Sequence, residues 1–283
     1  MNDPGVSERH QPQDLLVQAR GAMLDALEAL NEHRSAVIVI GAQAVYLRTG
    51  SARVALAEAT KDSDLAIDPR LLSEDPRVDA AMRAGGFLPD PRHGQPGSWV
   101  NAAGIPVDLM VPDALAGPGG PSARGARLPP HDRRAMRRAR GLEAAVVDNT
   151  TECISALDRT DPRVYEARVA GPAALLVSKI HKITERLGTP HRLNDKDAHD
   201  LYRILIAIET ALLVDGFRRL LDDPVSASVT DHALDEMREL AASGPEAMIP
   251  VMAGRAEEGL GEPPTVALST SLLTHDLLAE LGK

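Results

Sequence analysis

The amino-acid sequence predicts an α+β protein. Strands and helices alternate over residues 1–170, and helices alone fill residues 171–283. Three observations carry this. Ala36–Ile40 (AVIVI) is a continuous run rich in β-branched residues, the pattern of a strand buried on both faces. Ile105–Val111 sets Val107, Leu109 and Val111 on one face, as a strand does. After Pro172 the apolar residues recur at helical spacing.

Composition bounds the function classes. The 283 residues suffice for one large or two medium domains, and 43% hydrophobic with 25% charged content is that of a globular chain. An aromatic content of 2% leaves the core to Leu, Val, Ile, Ala and Met, and argues against aromatic platforms for single-stranded nucleic acid. The net charge of −10 excludes a uniformly basic nucleic-acid coat but leaves room for a local patch. Cys153 is the single cysteine, which excludes an intramolecular disulfide and a Cys-based zinc site and fits a reducing cytoplasm. No apolar run reaches membrane-span length and residues 1–20 lack a signal-peptide core, so a cytoplasmic location without a membrane partner is expected.

In chain order, residues 1–12 are polar and expected to fray. From Asp14 to His33, Leu15, Leu16, Ala19, Met23, Leu24, Leu27 and Leu30 mark an amphipathic helix, ended by Asn31-Glu32-His33-Arg34. The strand Ala36–Ile40 runs into Gly41, and Ala42 to Thr49 reads as a helix. A buried strand, a glycine turn and a helix N-terminus offer backbone N–H groups to a phosphate, although the same pattern also serves as a plain connection.

A short loop over 51–59 leads to Thr60-Lys61-Asp62-Ser63-Asp64-Leu65-Ala66-Ile67-Asp68, read as a strand. Side chains two apart share a face, so Asp62 and Asp64 lie side by side and Ser63 points away. Two such carboxylates repel until a hard divalent cation bridges them, although D-x-D is also a common surface tripeptide. A helix is expected over Leu71–Gly85, a Pro- and Gly-rich loop over Phe87–Trp99, and paired strands at Ser98–Asn101 and Ile105–Val111. Asp108 interrupts the apolar strand VDLMV, which is unfavourable unless the acid is paired or bound to a cation. It is therefore read as a third carboxylate beside the first two, the alternative being an edge strand with a wet face.

Residues 113–130 form a loop without a Walker A pattern. Arg124, Arg127, Arg133, Arg134, Arg137, Arg138 and Arg140 then cluster in an acidic protein, a place for polyphosphate or RNA backbone or else a solvated helical face. Strands are expected at 143–148 and 164–169, with a helix or loop over Thr150–Asp161 between them. Pro172 opens a helix that turns Leu175, Leu176, Ile180 and Ile183 inward and sets Lys179, Lys182 and Arg186 on one side. Gly188-Thr189-Pro190 breaks it. The next helix starts with Asn194 or Asp195 as N-cap and runs to about Leu213, with Asp197 and Asp200 on one face. Further helices are expected at Gly216–Asp222, Asp231–Ala242 and Leu272–Leu281, without evident chemistry. His181, His191 and His199 fall on different turns or a loop and do not suggest zinc.

This succession resembles the nucleotidyltransferase superfamily, the polymerase-beta-like fold, in which a strand, Gly-Gly or Gly-Ser, a helix, D-x-D and a third Asp follow one another. Here these are Gly41-Ala42, Asp62/Asp64 and Asp108. The helical part is similar to the AbiEii group, including the MenT-like bacterial toxins, through Leu175-Leu176-Val177-Ser178-Lys179 and Arg192-Leu193-Asn194-Asp195-Lys196-Asp197-Ala198-His199-Asp200. The resemblance covers residues 35–210. It implies a nucleotidyltransferase fold with a mixed sheet flanked by helices over 1–170, and a helical domain over 171–283.

The resemblance also implies an enzyme that moves NMP from an NTP to an acceptor hydroxyl on tRNA or protein. Asp62, Asp64 and Asp108 would hold Mg2+, two ions being possible, and Asp108 would serve the ion or act as the base that activates the acceptor. Lys179 would neutralise triphosphate charge, and Asp197 or Asp200 would orient Lys179, Arg192 or the acceptor. Nucleotide contacts would come from Gly41, Ala42, Lys179, Lys182, Arg192, Lys196 and Asp200. The implied partners are the NTP, an RNA (tRNA) acceptor on the Arg124–Arg140 segment, and an antitoxin protein. Ala42 departs from the pattern, because it lacks the hydroxyl that a Ser would offer a terminal phosphate. The alternatives are an antibiotic-type, small-molecule nucleotidyltransferase and a catalytically silent nucleotide-binding relative.

Overall fold

The structure, a computed structural model, describes residues 12–50, 61–92, 94–120 and 122–283. The frayed start expected at 1–12 falls outside this range except for residue 12, and so do the loop expected at 51–59 and Thr60. The chain opens with helix α1 (Pro12–Ala29), strand β1 (Val37–Ile40) and helix α2 (Gly41–Thr49). Strand β2 (Ser63–Ile67), helix α3 (Val78–Ala84) and strands β3 (Leu88–Pro89), β4 (Ser98–Val100), β5 (Pro106–Pro112) and β6 (Arg137–Ala139) follow. After helix α4 (Glu143–Val147) come β7 (Asn149–Ser155) and β8 (Val164–Ala170). The rest is helical: α5 (Pro172–Glu185), α6 (Asp195–Ala207), α7 (Thr210–Asp222), α8 (Ala227–Leu240), α9 (Met248–Ala256) and α10 (Pro263–Leu281).

The sheet is mixed, in the order β3-β4-β5-β2-β1-β8-β7, with β6 added to β5. β1 runs antiparallel to β2 and parallel to β8, and β2 runs parallel to β5. All of β1 is buried, as its β-branched run requires of a central strand. Ile40 stands opposite Asp64, and Asp64 opposite Asp108. On the far edge of β5, β4 pairs with Pro106–Asp108 and β6 with Met110–Pro112. Gly97 sits at this handover with φ +75°, where a Cβ would come within 2.3 Å of the Leu109 carbonyl.

Alternation sorts the two faces of the sheet. The Ser63 hydroxyl donates to the Ala19 carbonyl of α1 at 2.8 Å, so Ser63 and its register partner Val107 face α1. Asp64 and Asp108 therefore face the other way. α2 packs on β1, β2, α5 and α6, which brings the start of the helical region over this second face. α5 is the hub of that region, packed against α4, α6, α7 and α8, with Leu175, Leu176, Ile180 and Ile183 buried.

Several expectations at the level of elements change. The helix expected from Leu71 is confined to Val78–Ala84, because Pro76 would clash with the preceding turn if the helix began earlier. Residues 143–147 are helix α4 rather than a strand, and the first half of the stretch read as helix or loop from Thr150 to Asp161 is strand β7. The buried Glu143 carboxylate accepts from the Ala114 and Gly141 N–H groups and anchors α4, while β7 pairs with β8 along its whole length. The helix from Asp195 stops at Ala207 rather than Leu213, and the chain turns so that α7 buries Leu213, Val214, Phe217 and Leu220. α10 begins at Pro263 rather than Leu272, with proline in its first turn, and α9 had no counterpart in the expected elements. The Arg124–Arg140 segment is loop and strand β6, so the helical-face alternative for it does not hold.

Candidate functional site

The site begins with a steric fact. Gly41 has φ +64°, and a Cβ there would lie 2.3 Å from Asp64 Oδ2. The strand can thus turn into α2 directly beside the Asp64 carboxylate only with glycine. Because Asp64 and Asp108 are parallel register partners, their side chains lie on the same face of neighbouring strands. Asp62 precedes β2 and is exposed at the rim.

Two clefts meet over these residues, and Asp64, Lys179 and Lys182 line both. One, of about 240 Å³, is rich in lysine: Ala42, Lys61, Asp62, Pro106, Asn194, Lys196 and Asp197 complete its walls. The other, of about 340 Å³, is rich in arginine: Gly41, Asp108, Met110, Arg137, Arg138, Arg140, Arg186 and Arg192 lie along it. Carboxylates of the sheet thus face cations of the helices across a shared floor.

Lys179 is buried on α5 and donates to Asp197 Oδ1 at 2.8 Å and to Asp200 Oδ2. The Asp197 carboxylate also accepts from Lys182 at 2.9 Å and Arg186 at 3.3 Å. Burial alone would pull the Lys179 ammonium down, but Asp197 and Asp200 outweigh it and hold Lys179 above the ordinary lysine range. Burial likewise pushes Asp197 up, and Lys179 and Lys182 outweigh that and hold it below the usual carboxylate range. The spacing that lets this form is simple. Lys179, Lys182 and Arg186 share one stripe of α5, and the Asn194 side chain caps α6 by accepting from the Lys196 N–H, which presents Asp197 and Asp200 to that stripe.

On the sheet side compensation is only partial. Burial first, then the neighbouring carboxylates of Asp62 and Asp108, push Asp64 up to about 6, with Lys182 and Arg137 acting against them. Arg137 donates to Asp108 Oδ2, while Asp108 Oδ1 is buried without a hydrogen-bond partner. Among the described residues no three His, Cys, Asp or Glu side chains are gathered closely enough to hold a metal ion.

Of the residues singled out in the sequence, Gly41, Ala42, Asp62, Asp64, Asp108, Lys179, Lys182, Arg192, Lys196 and Asp197 come together along the two clefts. Asp200 lines neither cleft and reaches the site only through Lys179. The arginine segment is not one open patch: Arg137 is held by Asp108, and Arg138 by Asp113 Oδ1 at 2.7 Å. Ser63 is buried away from the carboxylates, as the strand alternation requires. Arg186 and the individual Arg137 are among the cleft residues outside the expected set. The Lys182–Arg186 spacing pointed to the first, whereas nothing local in the sequence marked the second.

No protein-family model and no curated protein matches the chain. Among solved structures it resembles one described as "putative nucleotidyltransferase from H. pylori", at 10% identity over 98% of each chain with a TM-score of 0.44.

Proposed function

We propose that the chain is a nucleotidyltransferase that moves NMP from an NTP to an acceptor hydroxyl. The observation that carries this reading is the register that sets Asp108 beside Asp64, with the Gly41 turn against Asp64 and Lys179 opposite. Asp62, Asp64 and Asp108 are hard oxygen donors of the kind Mg2+ takes. The unpartnered Asp108 Oδ1 and the raised Asp64 both speak for an added positive charge at this point. When bound, such a cation would neutralise triphosphate oxygens and make the acceptor hydroxyl more acidic.

The chain's own residues have separable roles in this reading. Gly41 and Ala42, at the start of α2, line one cleft each, and their N–H groups would bind phosphate oxygens there without a serine hydroxyl. Lys61, Lys182 and Lys196 supply positive charge along the lysine-lined cleft. Lys179, fixed by Asp197 and Asp200, holds its charge in a set place at the junction of both clefts. The arginine-lined cleft suits an anionic acceptor such as RNA better than a cationic antibiotic. The finer reading is an AbiEii/MenT-like toxin acting on tRNA or protein and held in check by an antitoxin.

Incubation with labelled NTPs, Mg2+ and total RNA, beside Asp62→Ala/Asp64→Ala, tests the enzyme. Transfer by the wild type alone is expected. Absence of both transfer and NTP binding would sink the reading. NTP binding without transfer would favour the silent relative, for which Ala42 is the supporting residue. Growth arrest on expression, relieved by a neighbouring gene, is the outcome expected of a toxin.

A further inference from the structure

We infer that Arg137 is an internal counter-cation of the carboxylate centre, one that yields Asp108 to an entering divalent cation and then meets the anion arriving with it. The inference rests on the nucleotidyltransferase reading.

Strand pairing dictates where the side chain goes. Arg137 is the register partner of Met110, and Met110 lies two residues from Asp108 on β5. All three side chains therefore share the cleft face. The Arg137 guanidinium donates from one nitrogen to Asp108 Oδ2 and from another to Met110 Sδ at 3.0 Å. A thioether is a weak acceptor, so Asp108 is the one strong anchor of this fork.

Arg138, the next residue, shows what a structural arginine looks like here. It donates to the Asp113 carboxylate and to the carbonyls of Asp113, Ala116 and Gly117, at 2.7 to 3.2 Å. Releasing Arg138 would orphan several acceptors at once, whereas releasing Arg137 exposes essentially one carboxylate oxygen. Burial works against the Arg137 charge, but Asp108, Asp64 and Asp62 all support it, so the guanidinium sits in the field of the whole centre.

Asp108 is correspondingly half satisfied. One oxygen holds Arg137, and the other is buried and unpartnered. Among the described residues no carboxylate trio is gathered for a metal ion. Two cations that share one carboxylate compete, so the apparent ion affinity is lowered by the stability of the Arg137–Asp108 pair. The displaced guanidinium remains on the wall of the cleft with Lys182 and Arg186, where an anion accompanying the ion would lie.

Titration of the full chain with Mn2+ alone, followed by electron paramagnetic resonance, tests this in wild type, Arg137→Gln, Arg137→Lys, Arg138→Gln and Asp64→Asn. Arg137→Gln is expected to bind Mn2+ about tenfold tighter, equivalent to about 1.4 kcal/mol. Arg138→Gln is expected to change little, although it removes the same charge. With Mn2+ saturating, Arg137→Gln is expected to bind a non-hydrolysable NTP analogue more weakly than wild type, opposite in direction to its ion affinity. Should Arg137→Gln not fold, Arg137→Lys replaces it, since a shorter side chain without the fork holds Asp108 less well and should also tighten Mn2+. Unchanged or weaker Mn2+ binding without Arg137, or an equal gain in Arg138→Gln, overturns the inference alone. Mn2+ binding that ignores Asp64→Asn, or none in any variant, overturns the nucleotidyltransferase reading and this inference with it.

Discussion

Asp64 carries an electrostatic load that can be read out as stability. Its folded pKa of about 6 lies above the ordinary aspartate value of about 3.9. The stability this contributes is present below about pH 4 and is lost as pH rises through about 6. Asp64→Asn should therefore melt above wild type at pH 7.5, by up to about 3 kcal/mol, with the gap closing towards pH 4. A gap independent of pH in thermal melts would contradict this origin. Gly41→Ala should cost about 1–3 kcal/mol from the positive φ alone, and its Cβ would also displace the Asp64 carboxylate. It should thus weaken NTP binding beyond its effect on the urea midpoint. Lys179→Met leaves the buried Asp200 facing an apolar chain and should destabilise by about 3–5 kcal/mol. Lys182→Met, at a position whose side chain is 41% exposed, should shift the urea midpoint far less. These residues were legible in the sequence, because glycine after a buried strand, acids at alternate strand positions and lysine three residues from lysine are local signals. Arg137 was not, because its partner on β5 is reached only through the pairing of β6 across a long loop.

Where an element could be read depended on whether its apolar residues formed a long enough pattern. α1 and α5 repeat them at helical spacing, β1 runs them together, and Pro172 and Asn194 marked the starts of α5 and α6, although α5 and α6 bury most of their residues. The run Ala144–Val147 is too short and too apolar to reveal a period, and it forms a helix because α5, α7 and α8 pack around it. β7 shows mostly exposed side chains on an edge strand, and only its pairing with β8 defines it. The end of α6 was missed for a similar reason, since Ile204 to Val214 continues the apolar spacing while burial of α7 requires a turn. The cap of α6 offers a direct test at this level. Asn194→Ala frees the Lys196 N–H and should lower stability by about 1 kcal/mol. Because α6 carries both acids of the Lys179 cluster, NTP affinity should fall in the same variant, as isothermal titration would register.

One buried apolar network runs from Ala22 on α1 through the sheet to Leu278 on α10. Arg203 on α6 adds polar links across it, donating to the Thr49 hydroxyl at 2.7 Å and the Thr49 carbonyl at 3.2 Å at the end of α2. Urea unfolding followed by Trp99 fluorescence and by helical circular dichroism should therefore give coincident transitions. Two separated midpoints would show that sheet and helices fold independently. The general architecture, strands first and helices after, was plain from hydrophobic patterning. That the helices close over the acidic face of the sheet was not, because contacts such as Arg203 with Thr49 join distant parts of the chain by three-dimensional packing alone.

The pairing of Asp64 with Asp108 also has a genetic consequence. Strand faces alternate with every residue, so deleting one amino acid within Pro106–Val107 would turn Asp108 towards α1 and Val107 or Leu109 towards the cleft. Insertions in the exposed turn at Ala102–Gly104 lie outside that pairing and leave the phase of β5 intact. Length variation among descendants of this chain should therefore be permitted at the turn and purged two residues later, even where composition hardly changes.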